Sequence, residues 1–220
     1  MMDWSKIANG SDGLELFTRD GEYLVNVDGK ELMSSYCHVS EDALAIISRR
    51  CTTKARPEIL IGGLGLGFTL AAFIKEFGDE AELTIVEKSP DIIQWYNSYT
   101  KRNSIGDLDD SKVNFICSDI SQYNPEKLFD IIALDVDNGP EAICGVQNET
   151  LYDRPGLKRI FNQLSPEGTL LLWSAFDSES YVEDARHSGF QVTTEVVDIP
   201  EAGWTHYIFI CKATSTEASR

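Results

Sequence analysis

The sequence predicts an α/β protein with a doubly wound, mostly parallel sheet, an antiparallel C-terminal strand and a small N-terminal β-hairpin region. Strand-like and helix-like runs alternate from residue 58 onward, which is the pattern of a parallel sheet covered by helices. The runs 191–198 and 205–212 are separated by only a short loop, so we expect them to pair as a hairpin. That hairpin makes the last strand antiparallel to the rest.

The N-terminal region is predicted to contain short antiparallel strands followed by one helix. Asp20-Gly21 and Asp28-Gly29 lie between apolar runs, and Asp-Gly in that position is a strong signal for a tight hairpin turn. Ser40 can cap a helix whose apolar residues recur at helical spacing. The predicted strands are 14–17, 23–27 and 31–33, and the predicted helix is 40–50. We assign residues 1–50 to this small unit.

Residues 55–212 are assigned to one larger domain, and residues 213–220 to a flexible tail. Ser89-Pro90-Asp91 combines a capping side chain, a proline at the first helical position and an acid near the positive helix end. Gly189 lies where a helix should end. The predicted strands are 58–61, 82–87, 113–117, 129–135, 169–175, 191–198 and 205–212, and the predicted helices are 66–77, 90–101, 154–164 and 178–188.

A glycine-rich turn predicts a nucleoside site. Gly63, Gly65 and Gly67 follow the first strand of the larger domain, and the next strand ends on Glu87. Such glycines let the backbone approach a ligand, and the acid can chelate a ribose diol. Phe68 stands where a dinucleotide motif needs glycine and where a P-loop needs lysine. The predicted ligand is therefore an adenosyl group without phosphate, such as S-adenosylmethionine or its decarboxylated form, although the turn could bind nothing.

Carboxylates also follow the third and fourth strands, at the edge where open α/β sheets bind ligands. Asp119 could bind an adenine amine, or it could cap the next turn. Asp135 and Asp137 could accept a proton from a substrate ammonium, although one of them could instead cap a turn. Asp130, before the fourth strand, is interpreted as a solvated residue.

Several aromatic and histidine positions carry weaker signals. His38 could line the substrate mouth, or it could be structural or exposed. Tyr152 could cover a bound ligand, although core packing explains it equally well. Trp173 is assigned to the core. His187 and His206 are assigned no role.

Composition limits the function classes. The net charge of −17 over 220 residues disfavours nucleic acid as a partner and favours a small cationic substrate, unless it serves only solubility. No secretory signal is apparent, and the longest apolar stretch, 59–73, is too short to span a bilayer. Five cysteines without Cys-x-x-Cys spacing suggest a reduced cytoplasmic protein without a zinc site. We therefore expect no metal and no membrane partner.

In order along the chain, these motifs resemble the spermidine synthase (polyamine aminopropyltransferase) family over roughly residues 14–190. The similar segments are Val27-Asp-Gly29, Gly62-Gly-Leu-Gly-Leu-Gly67, Val86-Glu87, Ser118-Asp119, Asp135 through Pro140, and Leu151-Tyr152. The resemblance implies a Rossmann-like, S-adenosylmethionine-methyltransferase-like domain with Asp135 as proton acceptor. It also implies that two copies could form a homodimer. An aspartate of the family's glycine loop falls at Gly65 here, and a glutamine of its N-terminal region falls at Leu32.

Three functional hypotheses follow. The first is aminopropyl transfer to an amine from decarboxylated S-adenosylmethionine, with Asp135 as base and Asp137 assisting. The second is a methyltransferase that uses S-adenosylmethionine on a small molecule, which the missing glycine-loop aspartate favours. The third is a non-catalytic nucleoside-binding homologue.

Overall fold

The computed structural model describes residues 3–136, 138–141, 149–199 and 203–214. An antiparallel four-stranded sheet precedes a seven-stranded sheet that is flanked by helices. The strands are β1 (Ser5–Asn9), β2 (Leu14–Arg19), β3 (Glu22–Val27), β4 (Lys30–Ser34), β5 (Glu58–Gly62), β6 (Glu82–Glu87), β7 (Asn114–Cys117), β8 (Phe129–Leu134), β9 (Leu164–Ser174), β10 (Phe190–Ile199) and β11 (Trp204–Ala213). The helices are α1 (Val39–Arg50), α2 (Phe68–Phe77), α3 (Pro90–Trp95), α4 (Lys101–Ser104), α5 (Glu149–Tyr152), α6 (Arg154–Gln163) and α7 (Glu179–His187).

The N-terminal sheet is a meander in the order β1-β2-β3-β4. Each of its three turns carries an Asp-Gly pair with both residues at positive φ: Asp12-Gly13, Asp20-Gly21 and Asp28-Gly29. Two successive residues at positive φ match the right-handed twist of the flanking strands, which is why such pairs close hairpins. The predicted hairpin region is confirmed, and it contains one strand more than the sequence suggested, β1.

The larger sheet has the order β10-β11-β9-β8-β5-β6-β7. Strands β5 to β9 run parallel to one another, whereas β11 is antiparallel to both β9 and β10. The predicted fold class is therefore confirmed. The chain proceeds from β5 to β6 and β7 on one side and later to β8 and β9 on the other, so the crevice for a ligand lies at the carboxyl end of β5.

Helices cover both faces of this sheet and leave its central strands buried. Every residue of β8 is buried, as expected for a parallel strand between two helical layers. One apolar cluster joins α1, α2 and α3 to one face, and a second joins α6 and α7 to the other. In the described part of the chain, no helix is both long and apolar enough to cross a membrane.

Asp130 corrects the sequence interpretation, because it lies buried inside β8 instead of in solvent. Its carboxylate accepts bonds from Lys54 Nζ at 2.5 Å and from the Glu58 amide at 3.1 Å, and the Ser165 hydroxyl also donates to it. Burial works against ionisation, but these donors together lower the pKa of Asp130. The strand tolerates this buried charge because it is fully paired.

The predicted helix 90–101 is more irregular than its sequence suggested. Ser89 caps α3 by accepting a bond from the Ile92 amide, as expected. A π-helical turn, Tyr96–Thr100, then connects α3 to α4. The π-helical turn places the buried Tyr96 ring against the glycine-rich turn at Gly67.

How the chain divides into domains stays a prediction.

Candidate active site

The glycine-rich turn adopts backbone conformations that side chains rarely allow. Gly63, Gly65 and Gly67 have φ angles of 91°, 52° and 93°. A Cβ atom on Gly63 would lie 2.1 Å from the carbonyl oxygen of Asp135, which leaves no room for one. The Asp135 amide in turn donates to the Gly62 carbonyl at 2.9 Å. The turn therefore joins the carboxyl ends of β5 and β8 by backbone contact.

A buried tyrosine supports the turn from below. A Cβ atom on Gly67 would lie 2.4 Å from Tyr96 Cε2, so the ring packs directly against the glycine backbone. The Tyr96 hydroxyl donates to Asp110 at 2.9 Å, and Lys101 Nζ donates to the same carboxylate at 2.6 Å. Burial and the bond to Asp110 raise the pKa of Tyr96. Sequence reasoning missed this support, because a π-helical turn has no recognised sequence signature.

Glu87 points towards the glycine turn, as the nucleoside hypothesis requires. Its Oε2 accepts a bond from the Leu64 amide at 2.9 Å, and its Oε1 accepts one from the Ser89 amide at 2.8 Å. Each carboxylate oxygen has two acceptor sites, so these bonds orient the group and leave capacity for ribose hydroxyls. The two amides thus fix the orientation of the Glu87 carboxylate beside the glycine turn, and its binding to a ribose stays a prediction.

Asp119 caps the turn that follows β7. Its Oδ1 accepts a bond from the Ser121 amide at 2.8 Å, and its Oδ2 lies 3.7 Å from Lys88 Nζ. Burial opposes ionisation, but the Ser121 amide and Lys88 together lower the pKa of Asp119. Asp119 therefore caps the turn, which was the alternative to adenine binding in the sequence analysis. Contact with an adenine stays a prediction.

A cleft of about 280 Å³ opens beside the turn on the β8 side and is lined by Asp135, Thr69 and Glu41, among others. The buried Thr69 hydroxyl donates a 2.5 Å bond to Asp135 Oδ2 and so fixes the orientation of that carboxylate. Glu87 ends β6 and Asp119 follows β7, on the other side of β5. The candidate site therefore has one half with Glu87 and Asp119 and another with Glu41 and Asp135, and the two halves meet at the glycine turn.

Glu41 is a site residue that sequence reasoning missed. It lies in the first turn of α1, and its carboxyl group lines the cleft. Burial and the negative charge of Asp135 raise the pKa of Glu41 to about 7, although the Ser40 hydroxyl, 2.7 Å from Oε2, works in the other direction. Acids are common at helix starts, where they complement the helix dipole, so nothing in the sequence distinguished this one.

Aromatic side chains form much of the remaining wall. Trp173 packs against the first apolar cluster, in agreement with its assignment to the core, and it also lines the cleft. His206 lies edge-on to it, with ring centroids 4.7 Å apart. Burial lowers the pKa of His206 and keeps it neutral. Phe68 also lines the cleft, and the exposed His38 stacks on Phe68 at 4.7 Å. His38 therefore touches a residue of the cleft wall, and its role in substrate binding stays a prediction.

Of the remaining predicted site residues, Tyr152 packs in the core and Asp137 lies outside the described residues. Tyr152 lies in the second apolar cluster and packs edge-on against Tyr181, with centroids 6.3 Å apart. Core packing accounts for that burial, and a substrate role for Tyr152 stays a prediction. Asp137 and Cys144 lie outside the described residues. Across the described residues, no group of three or more His, Cys, Asp or Glu side chains could hold a metal ion.

The close approach of Gly63 to Asp135 yields a stability prediction with a matched control. We expect Gly63→Ala to destabilise the protein by about 2 kcal/mol more than Gly21→Ala, measured by urea unfolding. Gly21 has a similar φ of 87°, but a Cβ atom there would meet no atom within 4 Å. Both variants carry the cost of positive φ, so the difference isolates the contact with Asp135. Equal losses would contradict the contact.

Comparison with known proteins supports the fold. No family model and no curated protein sequence matches the chain. Spermidine synthase from Thermotoga maritima is 16% identical, with a TM-score of 0.70 over 94% of this chain and 72% of that one. A spermidine synthase in complex with the transition state analogue AdoDATO is 15% identical, with a TM-score of 0.68 over 94% and 71%. Human methyltransferase-like protein 13 in complex with SAH is 14% identical, with a TM-score of 0.59 over 83% of both chains. The chain thus has a spermidine-synthase-like fold, in which a methyltransferase-like α/β sheet follows an antiparallel four-stranded sheet.

Proposed function

We propose that the protein is a transferase that alkylates an amine with the aminopropyl group of decarboxylated S-adenosylmethionine. The observation that carries this proposal is the pair of carboxyl groups, Glu41 and Asp135, in one aromatic-lined cleft beside the glycine turn. Among the described residues that line the cleft, none is a lysine or an arginine. A cationic ligand is therefore favoured there over one that brings a carboxylate.

The residues around the turn fit an adenosyl donor. The glycine backbone allows close approach, and the carboxylate of Glu87 is oriented to bind the ribose. We assign Asp119 to the adenine. The similar solved structures that hold AdoDATO and SAH support an adenosyl ligand here. A donor held in this way directs its sulfonium towards the ends of β5 and β8, where Asp135 lies.

The proposed reaction needs a neutral amine, although free amines are mostly protonated near neutral pH. Asp135, oriented by Thr69, accepts the ammonium proton and exposes the nitrogen lone pair. The nitrogen then forms a bond to the methylene carbon next to the sulfonium, and the carbon–sulfur bond breaks with its electron pair returning to sulfur. The proton passes from Asp135 to solvent. We propose that Asp137 assists this transfer.

Glu41 would bind and attract the amine. Its pKa of about 7 means that, near neutral pH, Glu41 is about half ionised in the empty cleft. An ammonium group stabilises the ionised form of Glu41, so amine binding and deprotonation of Glu41 favour each other. The overall negative charge of the chain would also increase the local concentration of cations.

A second candidate function is methyl transfer from S-adenosylmethionine to a small molecule. Gly65 has no side chain where the resemblance places an acid, so the turn itself does not repel a methionine carboxylate. Glu41 argues against this alternative, because it brings negative charge to the same cleft. A non-catalytic nucleoside-binding role is the third candidate. A place in polyamine biosynthesis, a cytoplasmic location and a homodimeric state stay predictions.

Titration calorimetry with the two nucleosides tests the donor. We expect decarboxylated S-adenosylmethionine to bind at least about tenfold more tightly than S-adenosylmethionine, because its tail carries no carboxylate. Glu87→Ala should weaken binding of either form by about tenfold or more, since it removes charge-assisted bonds to the ribose. Glu82→Ala, at the exposed start of the same strand, is the control. The reverse preference would favour methyl transfer, and no binding of either form would leave only the third candidate.

Asp135→Asn tests the proposed base. We expect the variant to retain nucleoside affinity and to lose turnover by about 100-fold or more, because asparagine cannot accept the proton. Alkylated amine is quantified by mass spectrometry at saturating donor. Full turnover in this variant would show that Asp135 is not the base.

Glu41→Gln tests the acidic pair through stability. Because the folded-state pKa of Glu41 lies above its ordinary value of 4.5, the folded protein loses stability as pH rises from 4.5 to about 7. Glu41→Gln should therefore be more stable than the parent at about pH 8, by up to ~3 kcal/mol, and equally stable near pH 4. Urea unfolding at both pH values measures the difference, with Asp42→Asn as the neighbouring control. A less stable variant at the higher pH would contradict the raised pKa.

A further inference from the structure

We propose that the acceptor is a primary amine carried on a flat apolar body, such as an arylalkylamine, and not a linear diamine. This inference rests on the proposed function and names its substrate class. It follows from the distribution of polar and apolar side chains between the inner and outer parts of the cleft.

The inner part of the cleft provides a single place for a cation. Glu41, Thr69 and Asp135 are each less exposed than the side chains at the mouth, and Thr69 is itself buried. The Thr69 hydroxyl orients the Asp135 carboxylate, while Glu41 feels the charge of Asp135. One ammonium group placed between these two acids would satisfy both. That group is the nitrogen that reacts.

Three large side chains with apolar surface lie at the mouth of the cleft. Leu32, Tyr36 and Trp204 line the cleft and are 41%, 56% and 57% exposed. Two separate segments supply them, one comprising β4 and the loop before α1 and the other the start of β11. Large apolar side chains that are exposed together at the rim of a pocket indicate a surface that a ligand covers. A ring attached to the amine would be buried by these residues.

The acid at the mouth, Glu31, is exposed to solvent. The Tyr36 hydroxyl donates to Glu31 Oε1 at 2.6 Å, and an ion pair between this exposed carboxylate and a second ammonium would contribute little. The inner wall offers no further carboxylate either. Trp173 and His206 form it, and their rings lie edge-on to one another. These two rings suit a flat apolar group and an adjacent cation.

Competition among simple amines tests this substrate class. Phenethylamine, butylamine and putrescine are titrated into the full-length protein in the presence of methylthioadenosine, the thioether that aminopropyl transfer would release. We expect phenethylamine to bind about tenfold more tightly than either aliphatic amine, because only its ring can cover the mouth. Phenylethanol, which has the ring without the amine, should bind weakly.

Variants assign the preference to the mouth. Trp204→Ala should remove most of the tenfold advantage of phenethylamine and leave butylamine affinity unchanged. Tyr99→Ala, an exposed aromatic residue that does not line the cleft, should change neither. Both substituted positions are exposed, so the variants are expected to fold.

The outcomes separate this inference from the proposed function. If the amines bind and depend on Glu41 but putrescine binds as tightly as phenethylamine or more so, the apolar acceptor is wrong while amine alkylation stands. If no amine binds, or if Glu41→Gln leaves amine affinity unchanged, both proposals fail. If Trp204→Ala still bound phenethylamine about tenfold more tightly than butylamine, the proposal that the side chains at the mouth bind the ring would be wrong.

Discussion

The close approach of the Gly63 backbone to the Asp135 carbonyl is the constraint on which the site depends. No side chain fits between the two strands at this point, so the ends of β5 and β8 are held at backbone distance. The same turn hydrogen-bonds Glu87 through the Leu64 amide. One backbone segment therefore fixes the position of Glu87 relative to that of Asp135. In the proposed reaction, which consists mainly of placing a nucleophile against a good leaving group, this fixed separation would supply most of what catalysis requires.

The acidic pair shows a conflict between stability and function. Two carboxyl groups that share a partly buried cleft repel each other when both are ionised. Burial and the negative charge of Asp135 raise the pKa of Glu41, so ionising Glu41 in the folded protein is unfavourable. A protein selected only for stability would place an amide or an apolar residue at one of these positions. Asp130 is the contrasting case in the same sheet, because its buried charge is neutralised by Lys54 and two further donors. In the proposed function, the substrate ammonium is the cation that favours having Glu41 and Asp135 together at this edge of the sheet.

The sequence predicted the parts of the fold that depend on local patterns. Alternation of strands and helices, the Asp-Gly turns and the cap at Ser89 each have a short-range physical cause, and the structure has all of them. Glu87 was also predictable, because its position follows from the order of strand, turn and strand. Glu41, Tyr96 and Trp173 were not. Their roles arise from tertiary contacts between distant segments, and their types are equally common in surfaces and cores.

The N-terminal unit is part of the site and not an accessory to it. The segment from β4 to the first turn of α1 supplies Leu32, Tyr36 and Glu41 to the cleft, while the glycine turn and β8 supply the opposite side. Met33 of β4 even lies 3.2 Å from the position that a Cβ atom on Gly65 would occupy. A side chain at position 65 would therefore contact the Met33 thioether, and the φ of 52° at this position also favours glycine. Where the resemblance places an acid in the turn, this chain has glycine, and Glu41 of α1 adds a carboxyl group to the cleft that Asp135 lines. The N-terminal segment therefore forms one wall of the cleft in which we propose that the tail of the donor and the amine bind.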